Sequence, residues 1–436
     1  MSELLASPWV PTLALWCLAI AARQLRGSWL SPAAFVALIW AIYASGCVWL
    51  TDYEILPEGL WVIVLFVFCV QFGAILAQGI SQGPLNIATP VLVDPLTRER
   101  WSGRSFTSSL FLTVVAIAGT TYLLFYSLQK YSLGFSLIDL LSLGNLWSVA
   151  RYEKGEVEPW SVRLSIMWLY PAVLLAGICF ATTRSRMRRY LSFAPFIPAI
   201  LIGTVFAVRA GVLISAVCWF AGLLAVRFME SEGKYLVFRR KLLLTMLAMV
   251  ISGFSFFVAI DSLRIFQGGD SVELRVDVPR IYKYFFGAIP AFCSWVHYSR
   301  PSDMGFGADT FSGVFDLLGI KHREIGVYQE MQTLADGEET NIYTLLRGLI
   351  QDFTLPGMCL FGVVLGTVAG NAARLHSRSP AVLVLVLAAY YALIVYSPII
   401  SIFVYNGLIL AWVVAALVLG WRPQAPPSAV PVSMSV

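Results

Sequence analysis

The sequence predicts an all-α polytopic membrane protein, and three observations carry that expectation. Apolar residues make up 58% of the 436 residues and charged residues 13%, with a mean hydropathy of +0.77. A soluble domain of this length needs about twice that share of charge to cover its surface, whereas a lipid-facing surface needs none. Apolar stretches of about 20 residues, the length that crosses roughly 30 Å of hydrocarbon, recur along the chain. Finally, Lys and Arg gather in alternate connections between those stretches.

Taken in order, the apolar stretches run near Leu4 to Ala22, Ala33 to Leu50, Leu60 to Ala77, Phe106 to Leu128 and Leu164 to Thr182. Six more run near Leu191 to Val208, Ala210 to Phe228, Leu242 to Ile260, Phe353 to Ala373, Pro380 to Tyr396 and Ile399 to Trp421. Pro8, Pro11 and Pro356 fall near helix starts, where a missing N–H costs little. The first stretch has no basic n-region or cleavage site and reads as a retained span. Seventeen of the 30 basic residues sit in the short connections around Arg23–Arg26, Arg98–Arg104, Arg184–Arg189, Arg227–Lys241, Arg374–Arg378 and at Arg422. By the positive-inside rule that side is cytoplasmic. Only Asp94, Glu99, Glu230 and Glu232 of the 25 acids share it. Eleven spans with the N-terminus periplasmic and the C-terminus cytoplasmic follow, in a bacterial inner membrane.

The expected organisation is spans one to eight over residues 1–260, with a periplasmic loop at 129–163. A large periplasmic helical loop follows at 261–352, then spans nine to eleven at 353–421 and a Pro-rich cytoplasmic tail at 422–436. Loops longer than about 15 residues are uncommon unless they carry function or are disordered. The large loop is rich in aromatic and aliphatic residues, so it reads as a folded cap. Within it, RIYKYFFGAIPAFCSWVHY from Arg280 to Tyr298 reads as an amphipathic or re-entrant helix pair broken at Pro290. The seven cysteines lie in apolar stretches without CxxC spacing and read as packing residues.

The outer face keeps 13 basic residues, with Arg outnumbering Lys nine to four. A guanidinium pairs bidentately with phosphate oxygens and stays charged in a partly dry site, so an anionic ligand at the outer interface is the simplest common cause. Arg209 sits in a turn of about two residues, TVFAVRAGVLIS; it is either a snorkelling headgroup anchor or a phosphate clamp. Arg347 in TNIYTLLRGLIQDF and Arg280 at the start of the aromatic pair divide between the same two roles. His297, His322 and His376 are scattered without metal spacing. Asp52 with Glu54 could hold a divalent ion, but short acidic outer loops also follow from topology bias. No phosphate-cradling Gly loop or G-x-S-x-G elbow is present, so ATP-driven and serine-hydrolase chemistry have no residues to stand on. Nothing points to nucleic acid.

The Arg at a tight outer turn in VRAGVL, the large outer loop, GFGADTFSGVFDLLGI, and ETNIYTLLRGLIQDFTLPG leading into a span resemble the Wzy family of O-antigen and exopolysaccharide repeat-unit polymerases. More loosely they resemble the ligase and polymerase superfamily with a multi-span GT-C-type fold. The likeness covers about Leu191 to Phe361. The family's R-x10-G pattern is not met, since Phe220 and Ala291 stand eleven residues after Arg209 and Arg280. The resemblance implies metal-independent transfer of a glycan from undecaprenyl pyrophosphate onto a lipid-linked repeat unit at the periplasmic face, with no cofactor. A flippase and a chain-length regulator would be partners beside the membrane lipids. It further implies a pyrophosphate clamp of Arg209, Arg280, Arg347 and Arg151, and a proton acceptor among Glu339, Glu338, Asp352 and His297. Asn341 and Tyr343 would orient sugar hydroxyls. An O-antigen ligase of the same superfamily, and a flippase or transporter of lipid-linked sugar, are the alternatives.

Overall fold

A computed structural model of the chain describes residues 7–79, 95–152, 156, 159–206, 209–230, 253, 255–256, 258–259, 278–298, 304–321, 328–334, 337, 339–374 and 380–420. It is mostly helical. Among the described residues seven helical stretches are long and apolar enough to cross a membrane, and two shorter apolar helices follow near the C-terminal end. The chain is thus a multi-pass membrane protein. The stretch Leu242 to Ile260 and the tail 422–436 fall wholly or mostly outside the described residues.

The first helices are α1 (Trp9–Arg26), α2 (Pro32–Leu50), α3 (Pro57–Gln78) and α4 (Pro95–Lys130). Prolines open α2, α3 and α4, where their fixed φ suits a first turn. At 36 residues α4 extends about 54 Å, far beyond the apolar stretch from Phe106, because its polar leading turns RERWSGR continue the helix. A short helix α5 (Leu137–Tyr152) follows, then α6 (Trp160–Met167) and α7 (Leu169–Thr182). Those last two make the fifth apolar stretch in two pieces. Pro171 cannot donate to the carbonyl of Met167, where α6 ends. A short α8 (Arg186–Leu191) ends where the sixth stretch begins, that stretch is α-helical only as α9 (Phe196–Phe206) after Pro195, and α10 (Arg209–Glu230) is continuous.

In the large loop, α11 (Val278–Phe286) and α12 (Ala288–Tyr298) form the aromatic pair. The break lies at Gly287, whose N–H closes on the Lys283 carbonyl, and not at Pro290. That proline sits in the first turn of α12, where no N–H is required. A short α13 (Ser312–Leu317) precedes two paired two-residue strands, β1 (Gln332–Thr333) and β2 (Glu339–Thr340).

The loop and span expected to meet at residues 352/353 are instead one kinked element, α14 (Leu345–Arg374). Thr354 leaves the helical region at φ 62°, two residues before Pro356. α15 (Pro380–Tyr396) then ends ahead of Pro398, and residues 397–405 form a turn and a 3-10 helix (Ile402–Val404) before α16 (Asn406–Gly420). The last apolar stretch is therefore helical only from Asn406, for 15 residues or about 22 Å.

Two seams without bulk at their centre hold the bundle. Gly362, Gly366 and Gly370 form one stripe on α14 against Phe66, Val70 and Ala74 of α3, and a Cβ at Gly370 would stand 2.6 Å from the Ala74 carbonyl oxygen. Gly177 on α7 and Gly222 on α10 make the second seam. Lipid offers no hydrophobic drive between helices, so close backbone approach through small residues supplies the attraction. Some buried hydroxyls tie helices together. Tyr390 and Tyr391 donate to the carbonyls of Pro32 and Leu30 at 2.6 Å, tying α15 to the start of α2.

The contacts sort the helix ends into two faces. On one, Arg26 donates to the carbonyls of Ile75 and Gly79, and Arg98 reaches Thr182 and Glu230. On the other, Trp147 meets Phe206, Leu345 N–H donates to Ser397, Cys47 meets Phe286, and Ser401 donates to the Thr310 carbonyl. Every described element between residues 278 and 345 lies on this second face.

Candidate functional site

The first turn of α14 carries Arg347 up into the cap, where its side chain is only 5% exposed. Three rings enclose the guanidinium carbon. Tyr343 lies 3.9 Å away, Tyr328 4.1 Å and Trp295 5.3 Å, measured to ring centroids. The segments that carry these rings are anchored. The Tyr343 hydroxyl donates to the Glu330 carbonyl at 3.2 Å, and the Tyr328 carbonyl accepts from Asn341 Nδ2 at 3.2 Å. Trp295 is held in the buried face of α12. Aromatic faces attract a cation most strongly where it is desolvated.

A buried cation still requires a counter-charge. Glu330 supplies it, accepting from Arg347 Nη2 at 2.6 Å, while its own side chain is 53% exposed. The pairing uses one of the three guanidinium nitrogens. Nε and Nη1 are buried without a hydrogen-bond partner.

On the other side of Tyr328 the loop 304–311 packs onto α14. A Cβ on Gly348 would stand 3.1 Å from the Tyr328 hydroxyl and 3.2 Å from Thr310 Oγ1, so this turn must lack a side chain for the three to converge. Asp352 fixes the loop. Fully buried, it accepts from Thr310 N–H at 2.6 Å and from Asp309 N–H at 3.2 and 3.3 Å. Asp309 is largely buried and pairs with the exposed Lys321 at 3.1 Å. Burial, reinforced by Asp309 and Asp352 and opposed by Arg347, pushes the Tyr328 hydroxyl far above its usual range, so it stays protonated and can donate.

The residues expected from sequence divide sharply. Arg347, Tyr343 and Asn341 come together, but Tyr343 is a fully buried wall of the cage and Asn341 a clasp on Tyr328, so neither side chain is presented for sugar contact as built. Asp352 has its oxygens committed to backbone N–H groups, which suits a loop anchor rather than a proton acceptor. Glu339 is exposed on β2, and the register Thr333↔Glu339 places it three residues, about 10 Å, beyond the level of Glu330. His297 lies two residues from Trp295 on α12, hence on the opposite helix face, where it stands 3.8 Å from Glu58. Arg209 opens α10, Arg280 lies in the first turn of α11 and Arg151 near the end of α5; for these three the structure describes the backbone alone. Glu338 lies outside the described residues.

Four contributors were not singled out from sequence: Trp295, Tyr328, Glu330 and Asp309. Their only linear signal is that aromatic and acidic residues flank the N-x-Y-T-x-x-R segment, and nothing in that pattern specifies a shared cage. Among the described residues no group of three or more His, Cys, Asp or Glu side chains could hold a metal ion. No family model, no curated protein and no solved structure matches the chain.

Proposed function

We propose that the chain is a repeat-unit polymerase of the outer leaflet of a bacterial inner membrane, with eleven spans in a GT-C-like arrangement and its N-terminus periplasmic. It moves a glycan from undecaprenyl pyrophosphate to a sugar hydroxyl of a second lipid-linked unit. The observation that carries the reading is the enclosed guanidinium of Arg347, with two donor nitrogens, Nε and Nη1, without an acceptor at the end of the bundle where headgroups lie.

In this reaction the bond between the anomeric carbon and the phosphate oxygen breaks, and the departing pyrophosphate gathers negative charge. A fixed fork of donors aimed at that oxygen lowers the barrier without reorganisation. The acceptor oxygen forms the new bond and must lose its proton, which a positioned carboxylate can take. Asp309 is our candidate for it, since its charge acts on Tyr328, a wall of the cage, and its loop is pinned by Asp352. The ligase reading asks for a histidine in the large loop: His297 stands 3.8 Å from Glu58, and His322 lies outside the described residues.

The test is extension of a purified lipid-linked repeat unit by the purified protein. We expect a ladder of products with release of undecaprenyl pyrophosphate, abolished in Arg347→Ala. An intact, folded protein that yields no dimeric unit overturns the proposal.

A further inference from the structure

The pairing at the cage is incomplete in a way that points to exchange. Glu330 touches the guanidinium through one contact, Nη2 to Oε2 at 2.6 Å, although the arginine fork is shaped to be met by two oxygens at once. The remaining donors, Nε and Nη1, are buried and unpartnered. Buried donors without acceptors are costly, and native structures rarely keep them without a reason.

The two partners are also unequal. Arg347 cannot leave, being walled by Tyr343, Tyr328 and Trp295. Glu330 can, since more than half of its side chain already faces water. Its backbone stays anchored, the Glu330 carbonyl accepting from the Tyr343 hydroxyl, so only the side chain has to rotate away.

We propose that Glu330 is an exchangeable stopper of the Arg347 cage, displaced by an anion with two or more phosphate oxygens. This inference rests on the reading of Arg347 as the pyrophosphate clamp. In the free protein the carboxylate neutralises the guanidinium and closes the cage against water. An arriving phosphate group takes Nη2 together with Nε or Nη1, and Glu330 swings out into solvent. The exchange keeps the charge in the cage balanced and satisfies a donor that the carboxylate leaves open. A monovalent anion with a single acceptor lacks the second contact and does not compete.

Titration calorimetry of the full chain in detergent, with inorganic pyrophosphate as the probe, tests this. Glu330→Gln keeps the shape but removes the competing charge, so its affinity should rise at least tenfold over the unmodified protein, while Arg347→Lys should lose most of the binding heat. Without pyrophosphate, Glu330→Gln should melt lower, because the buried cation has lost its counter-charge, and pyrophosphate should restore the transition. Glu330→Asp, with a shorter reach, should fall between. Equal or weaker binding by Glu330→Gln overturns the stopper. Failure of the polymerase reading is separable, since it would leave the pyrophosphate shift intact while lipid-linked units go unextended.

Discussion

Asp352 offers the sharpest test of how this cap is built, because sequence admits it as a proton acceptor and the structure makes it a loop anchor. Asn at this position keeps the size and one acceptor oxygen, but turns an amide NH2 toward either Thr310 N–H or Asp309 N–H. Hydrogen bonds to a charged group contribute about 1.5–3 kcal/mol each. Thr310 N–H at 2.6 Å is the shorter of the two, and Asp309 N–H is shared between both oxygens. Losing one and facing a donor with a donor should therefore cost about 2–3 kcal/mol. Asp352→Ala removes both partners from two enclosed N–H groups and should cost about 3–5 kcal/mol, in the range for breaking a buried charged network. The assay pairs thermal unfolding in detergent with polymer formed per folded molecule. The anchor role predicts lower melting for both variants and activity per folded Asp352→Asn molecule within about tenfold of the unmodified protein. A proton acceptor predicts unchanged melting and a loss of about 10²–10⁴ in rate. Full stability with lost turnover would refute the anchor.

A Cβ at Gly366 falls inside contact distance of the Val70 carbonyl, so Gly366→Leu should force α14 off α3 and abolish accumulation in the membrane, read by quantitative blotting; normal levels would contradict the seam. Arg209→Ala should remove roughly 2–4 kcal/mol of transition-state stabilisation if it grips pyrophosphate, about thirtyfold to nearly a thousandfold in rate, and Arg209→Lys should also impair turnover because the fork is lost. Polymer length in a deletion strain at matched abundance reads this out, and full-length polymer from Arg209→Ala would remove it from the clamp. Extension should survive EDTA, and loss restored by magnesium or manganese would redirect attention to Asp52 and Glu54. Reporters fused after Arg189 or Ser377 should be cytoplasmic and one at Gly337 periplasmic, and a cytoplasmic signal from Gly337 would place the cage on the wrong side.

Much of this protein is legible along the chain because lipid imposes a one-dimensional rule: a spanning helix must satisfy its backbone internally and be apolar for about 20 residues. Hydropathy and the placement of Lys and Arg therefore determine by themselves that the chain is a multi-pass helical membrane protein, and they leave Arg347 as one of several basic residues, with Arg209 and Arg280, that could meet a phosphate. Composition is blind to where helices break within an apolar run. The division of α6 from α7 and the late start of α16 depend on backbone donors missing at Pro171 and on the turn after Pro398. The shift of the aromatic pair's break from Pro290 to Gly287 depends on which turn each residue occupies. What Arg347 does is decided by tertiary structure alone. Its walls come from residues 295, 328 and 343 and its counter-ion from residue 330, on separate elements. Burial then converts a charge that would be screened in water into one that demands a partner, which no linear pattern encodes.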